Sequence, residues 1–323
     1  MKRATKARPA GKVTGKPKRA ETSQLSELPT EQVNSASRDL DLKSSLEIAR
    51  IINAEDAKVA PVVKRTLPQI ARAIDLIAAA LKRGGRLIYV GAGTSGRIAA
   101  LDAAECPPTF NTNPRTVQYV MAGGARALGA AVEANEDSRQ LGEREMAKKK
   151  PGKNAVVVGI AASGRTPFTV AAVEYARRHG AKTIAVTCNR NSPLEKAAHL
   201  AIVTEVGSEV ISGSSRMKAG TAQKMVLNIL STGAMARLGY VYDNLMVNVH
   251  VKNEKLVERG IAILQRATGI QRPAAENALK AAANSVPVAL VMIEARVDRA
   301  DAVRALKATG GHVRRAIAAA RSM

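Results

Sequence analysis

The 323-residue chain contains no tryptophan, and aromatic residues make up only 2% of it. So few platforms for stacking unpaired bases argue against single-stranded nucleic acid as the partner of the folded part. Cysteine is equally scarce. Cys106 and Cys188 cannot build a disulfide framework, and no cysteine or histidine spacing resembles a zinc site, so a reducing compartment fits. No run approaches the roughly 20 apolar residues of a membrane span, and the N-terminus lacks the apolar core of a secretory signal. The expected location is the cytoplasm, with no membrane partner. Acidic residues are absent from the first 20 positions, which hold eight lysines and arginines of a chain whose net charge is +23. Residues 1–28 therefore read as a basic disordered tail, able to meet nucleic acid non-specifically without defining what the rest does.

What remains is ample for folding: 46% of the residues are hydrophobic, and their pattern is orderly. Apolar residues at helical spacing over Ser45 to Ala54 and Val59 to Leu81, interrupted by Pro61 and Pro68, predict N-terminal helices. Arg86 to Val90 then reads as a strand running into Gly91-Ala-Gly-Thr-Ser-Gly96 and a helix from Arg97. The same grammar returns at Asn154 to Ile160, followed by Ala161-Ala-Ser-Gly-Arg-Thr-Pro167 and a helix to Arg178. Thr116 to Met121, Thr183 to Thr187 and Leu200 to Thr204 supply three further strands. Alternating strands and helices predict an α/β fold with a parallel sheet covered on both faces and ligands at its C-terminal strand ends. A long helix is expected from Lys218 to Leu238 and another from Asn253 to Thr268. Ala-rich segments beyond Arg272 suggest a compact three-helix appendage. The expected division is 1–28 tail, 29–74 helical segment, 75–262 α/β domain and 263–323 C-terminal domain.

Gly91-Ala-Gly-Thr-Ser-Gly96 superficially matches a dinucleotide fingerprint, but the strand ending at Ala122 carries no acid to hold a ribose. Gly93, Thr94 and Ser95 at the mouth of a helix instead offer backbone N–H groups and hydroxyls suited to a phosphate ester; a purely structural turn is the plain alternative. Ser163, Gly164 and Thr166 repeat the arrangement at the next strand end, and each hydroxyl there could equally be a helix cap. The loop Ser208 to Ser215, ahead of Lys218, is a third candidate contribution, with the same alternative. Glu105, in Asp102-Ala-Ala-Glu-Cys-Pro-Pro-Thr109, sits about two turns past the first cradle, before a Pro-Pro pair expected to end the helix; Glu136 lies in a second acidic cluster, Glu133 to Asp137. Spacing alone leaves both glutamates open to being solvated carboxylates. His179 reads as a helix C-terminal cap and Cys106 as inert packing.

Leu87 to Arg97, Glu105-Cys-Pro-Pro-Thr109, Val158 to Pro167, Gly213 to Lys224 and Asn253-Glu-Lys255 together closely resemble the N-acetylmuramic acid 6-phosphate etherases, from about Thr30 to the C-terminus. The resemblance implies a three-layer αβα sandwich of the sugar isomerase (SIS) type with a five-stranded parallel sheet, a sugar phosphate substrate, a homodimer, and no metal or organic cofactor. It implies removal of D-lactate from the C3 ether, with Glu136 as the base at C2 and Glu105 as the acid assisting lactate departure. The substrate contacts it implies are Gly93, Thr94, Ser95, Ser163, Gly164, Thr166, Ser214, Ser215 and Lys218. Ala134, Asn135, Ala125 and Asn248 depart from the family's usual residues. A phosphosugar sensor and an aldose-ketose isomerase are the competing activities on the same fold, and retention of both glutamates favours the etherase.

Overall fold

The computed structural model of the chain describes residues 28–130, 132, 135–249 and 254–322. The basic stretch 1–27 lies outside the described residues, as do Glu133, Ala134 and Asn253. Helix α1 (Ser45–Asp56) opens with a reciprocal cap in which the Ser44 hydroxyl accepts from Glu47 N–H and the Glu47 carboxylate accepts from Ser44 N–H. Helices α2 (Val59–Arg65) and α3 (Leu67–Lys82) follow, with Pro61 and Pro68 in their first turns, where a missing N–H costs nothing.

The core unit then alternates: β1 (Arg86–Gly91), α4 (Gly93–Phe110), β2 (Val117–Met121), α5 (Arg139–Lys148), β3 (Ala155–Ile160), α6 (Pro167–Arg178), β4 (Lys182–Thr187), α7 (Pro193–Ala197), β5 (Leu200–Val203) and α8 (Lys218–Arg237). The strands form one parallel sheet in the order β2-β1-β3-β4-β5. Alternation of side chains along each strand divides the core. Leu87 and Tyr89 of β1 join α2, α3, α4 and α8 on one face, while Ile88 and Val90 join α5, α6 and α7 on the other. The three-layer αβα expectation is therefore met.

Two expectations need correction. Pro107 and Pro108 do not end the helix: α4 runs through both to Phe110 and stops at Asn111, which adopts a left-handed conformation (φ 53°) and donates its N–H to Pro107 O. The C-terminal unit holds four helices beyond Arg272, not three: α10 (Arg272–Ala281), α11 (Val286–Ala295), α12 (Arg299–Ala308) and α13 (Val313–Ala320). Its separate core also takes in Val247, Val249 and, from helix α9 (Glu254–Thr268), Ile261, Ile263 and Leu264, so that core starts well before residue 263. The breaks near Ser285 and Gly310 are legible in the sequence; the stop that divides the remaining stretch is made by a non-glycine residue, Arg296, with φ 56°. No single helix among the described residues is long and apolar enough to cross a membrane.

Candidate active site

The sheet order reverses between β1 and β3, so the helices leaving these two neighbours depart to opposite faces and a crevice opens at their C-terminal ends. Gly91 and Ile160 are register partners, which sets the two hydroxyl-rich turns side by side. In the first turn, Gly93 starts α4 with φ +52°, and Ala92 as N-cap has no side chain to close the first N–H groups. Those donors and the positive end of the helix dipole suit an anion. Ser95 is 8% exposed and donates to the Gln223 Oε1 at 2.9 Å. Gln223, on α8, is fully buried, and its Nε2 has no hydrogen-bond partner among the described residues.

The second turn is rigid. Gly164 (φ +68°) packs so closely that a Cβ there would lie 2.3 Å from Ser192 Oγ, and its N–H bonds to Ala161 O at 3.0 Å. Ser163 Oγ accepts from Arg165 N–H at 3.2 Å, so this hydroxyl does braces its own turn. Thr166 is different. It occupies the N-cap of α6 yet makes no capping bond, so the plain cap reading fails for its hydroxyl. Cap duty at α8 falls to Glu209, whose two carboxylate oxygens accept from Lys218 N–H and Ala219 N–H at 3.0 and 2.9 Å. Burial raises the Glu209 pKa against the lowering effect of those donors. Ser214 and Ser215 are thereby relieved of that task. The first and third elements meet at Gly220, where a Cβ would stand 3.5 Å from Thr94 Cγ2 and 3.8 Å from Ser215 O.

Glu136 joins the same crevice. Its carbonyl accepts from Phe168 N–H at 3.0 Å, tying it to the first turn of α6, and its Oε1 would lie 3.2 Å from a Cβ on Gly93. A carboxylate thus stands at the mouth of the first turn, beside the second. Glu105 does not join it. It is exposed on α4, twelve residues beyond Gly93, which is about 18 Å along the axis. Exposed Leu101 shares its side of the helix, one turn earlier.

Lys218 also departs from expectation. Its side chain is 3% exposed and paired with Glu55 of α1, itself 3% exposed, so its ammonium fastens helices together and is not offered to a ligand. Between Glu105 and the sheet lies a further network missed by sequence reasoning. Buried Asp102 accepts from Tyr89 hydroxyl (2.8 Å), Asn228 Nδ2 (2.7 Å) and Ser231 Oγ (3.0 Å), which locks α4 against β1 and α8. Burial raises its pKa, opposed by those three donors. Asn248, the departure from aspartate, donates to Phe110 O at 2.7 Å and so closes the end of α4. Burial pushes both cysteine thiols up to about 12, which leaves them inert. His179 accepts its expected place at the end of α6, with Nδ1 2.8 Å from Tyr175 O. Among the described residues no cluster of three or more His, Cys, Asp or Glu side chains is arranged to hold a metal ion.

Sheet order, crevice and hydroxyl-lined turns define a phosphosugar-binding domain of the SIS class. Residues 69–177 match the glucokinase regulatory protein N-terminal SIS domain family, and residues 142–232 match the SIS domain family. The chain is 49% identical to the N-acetylmuramic acid 6-phosphate etherase of Shigella flexneri, over 91% of this chain and 99% of that one. It is 46% identical to N-acetylmuramic acid 6-phosphate etherase 1 of Bacillus licheniformis, over 92% and 98%. Among solved structures, a phosphoheptose isomerase from Francisella tularensis aligns at 20% identity and TM-score 0.46, covering 60% of this chain and 100% of that one. The chain belongs to the N-acetylmuramic acid 6-phosphate etherase family.

Proposed function

We propose that this protein is an N-acetylmuramic acid 6-phosphate etherase, a carbon-oxygen lyase that releases D-lactate from its substrate and yields N-acetylglucosamine 6-phosphate. The observation that carries the reading is Glu136 at the mouth of the Gly93 turn, in a chain nearly half identical to named etherases along nine-tenths of its length. The hydroxyls of Thr94, Ser163, Thr166, Ser214 and Ser215, with the N-terminal amides of α4, offer donors for the sugar phosphate, while the Ser95 hydroxyl is already spent on Gln223. An ether oxygen is a poor leaving group, so direct displacement has no handle. In the ring-opened aldehyde, however, the carbonyl at C1 acidifies the proton at C2.

Glu136 takes that proton, the C3–O bond breaks with its electrons going to oxygen, and a carboxylic acid donates the proton that lets lactate leave as an alcohol. Water then adds to C3 of the unsaturated aldehyde, activated by the same carboxylate, and the proton returns to C2. Glu105 is the second carboxyl group in this reading. Its separation of about 18 Å along α4 from the Gly93 turn exceeds the span from a sugar's phosphate to its C3. The reading therefore needs a homodimer in which Glu105 of the partner subunit enters the crevice, consistent with its exposed position beside Leu101. Incubation of purified protein with N-acetylmuramic acid 6-phosphate and assay of free D-lactate tests the proposal. Absence of lactate overturns it, and a ketose product would indicate an isomerase instead.

A further inference from the structure

Arg165 stands inside the second turn, between Ser163–Gly164 and Thr166. Its Nε is shut off from solvent and has no hydrogen-bond partner, and its guanidinium forms no ion pair among the described residues. Buried unpartnered donors are rare and call for an explanation, most simply an acceptor that arrives with a ligand. Two other cations associated with the site's walls are already engaged. Lys218 is paired with Glu55, and Arg97 donates to the backbone carbonyls of Ala127, Leu128 and Ala130. Arg165 is held in place at its backbone, where its N–H bonds to Ser163 Oγ, and the preceding Gly164 is wedged against Ser192 and Thr187.

We propose that Arg165 binds the lactyl carboxylate of the substrate and so distinguishes it from sugar phosphates that lack one. The inference rests on the etherase reading above. Arg165 lies three residues from Phe168, whose N–H holds the Glu136 carbonyl at 3.0 Å. A base at C2 and a group gripping the substituent on the adjacent C3 must be neighbours, and these two segments are. The substrate has two anions, but the hydroxyl-rich turns and the α4 amides already suit the phosphate. A planar guanidinium matches a carboxylate with two parallel hydrogen bonds, a geometry that hydroxyls cannot supply. Once lactate has departed that grip is lost, which favours release of the carboxylate-free product.

The test compares wild type, Arg165→Gln and Arg165→Lys in two measurements. Lactate release from N-acetylmuramic acid 6-phosphate gives kcat/KM. Calorimetric binding of N-acetylglucosamine 6-phosphate, which keeps the phosphate and lacks the carboxylate, reports the rest of the site and the fold. The expected result for Arg165→Gln is a fall in kcat/KM of about 30-fold or more with product affinity within about threefold of wild type, and partial recovery in Arg165→Lys. Equal losses in both measurements would assign Arg165 to the phosphate and overturn the proposal, as would no loss in either. If wild type releases no lactate, the etherase reading fails on its own. Calorimetry with both sugar phosphates then still decides Arg165: a wild-type preference for the carboxylate-bearing ligand that vanishes in Arg165→Gln supports it, and an unchanged preference overturns it.

Discussion

Lys218 and Glu55, 163 residues apart in sequence, form an ion pair with both side chains 3% exposed, and Asn34 Nδ2 donates to the same Glu55 oxygen at 3.0 Å. Asn34 also donates to Ser208 O at 3.2 Å, so the N-terminal segment grips the start of the Ser208–Ser215 loop as well as the first residue of α8. Removing one partner strands a buried charge. Glu55→Gln and Lys218→Met should each lower unfolding free energy by about 3 kcal/mol or more, whereas the double change to apolar residues should recover part of the loss. Urea unfolding of the four proteins reads this directly; single variants within 1 kcal/mol of wild type, on the order of a surface pair, would contradict it.

The same pair predicts an acid dependence. Burial disfavours the Glu55 carboxylate, but hydrogen bonds from Lys218, Lys58 and Asn34 outweigh it and hold its pKa down at about 2, below the ordinary 4.5. A depressed acid contributes stability that is complete above its unfolded pKa and lost as pH falls toward its folded one. That contribution, about 3 kcal/mol, should disappear between roughly pH 4.5 and 2. Asp102 and Glu209, raised chiefly by burial, act with the opposite sign and gain relative stability as pH falls. Subtracting the stability of Glu55→Gln from that of wild type at each pH isolates the Glu55 part. A difference that stays constant from pH 5 to pH 2.5 would rule it out.

Gly93 is constrained twice: φ is +52°, and a Cβ would press on Glu136 Oε1 at 3.2 Å. Gly93→Ala should therefore cost on the order of 1 kcal/mol in stability through backbone strain. It should also displace the Glu136 carboxylate and lower kcat by about tenfold or more, since small misplacements of a base are expensive. A thermal melt alongside steady-state lactate release separates the two effects, and full activity in the variant would show that Glu136 does not depend on this contact.

Glu136→Gln keeps the side chain's shape and the backbone bond to Phe168 while removing the base. The expected loss is about 100-fold to 10,000-fold in kcat with melting temperature unchanged. The more specific measurement is exchange of the substrate's C2 hydrogen with deuterated solvent, followed by NMR. It should vanish in Glu136→Gln; exchange at the wild-type rate would mean that another group takes the proton.

How much of this is legible in the sequence follows from the range of each interaction. The turns after β1 and β3 announce themselves through glycine and hydroxyl residues within a few positions, and the buried strands through continuous apolar runs. Lys218 reads locally as a ligand contact because its partner Glu55 is remote in the chain and nothing nearby marks the pairing. Pro107-Pro108 suggests an end to α4, yet the helix continues to Phe110 and is closed by Asn111 in a left-handed conformation, its N–H bonding Pro107 O. One division of the C-terminal helices is hidden because Arg296 ends α11 in a left-handed turn without glycine. Arg165 and Gln223 could be quoted within motifs, but their unpartnered nitrogens emerge only from packing.

The exposed position of Glu105 makes the sharpest demand on assembly. If each crevice combines Glu136 of one subunit with Glu105 of the other, two inactive proteins should restore each other. A mixed dimer of Glu105→Gln with Glu136→Gln has one crevice with both native carboxylates and one with neither. Random reassortment of equal amounts gives half mixed dimers, each with one working site, so activity should rise to about one quarter of wild type. Mixing after mild denaturation and refolding, with lactate release as readout and a mock-treated control, measures the recovery. A mixture as inactive as its components, despite verified subunit exchange, would require both glutamates to act within one chain. Helix α4 would then have to shift by over three turns' length to bring Glu105 to the Gly93 turn, which its anchoring through Asp102 to Tyr89, Asn228 and Ser231 opposes.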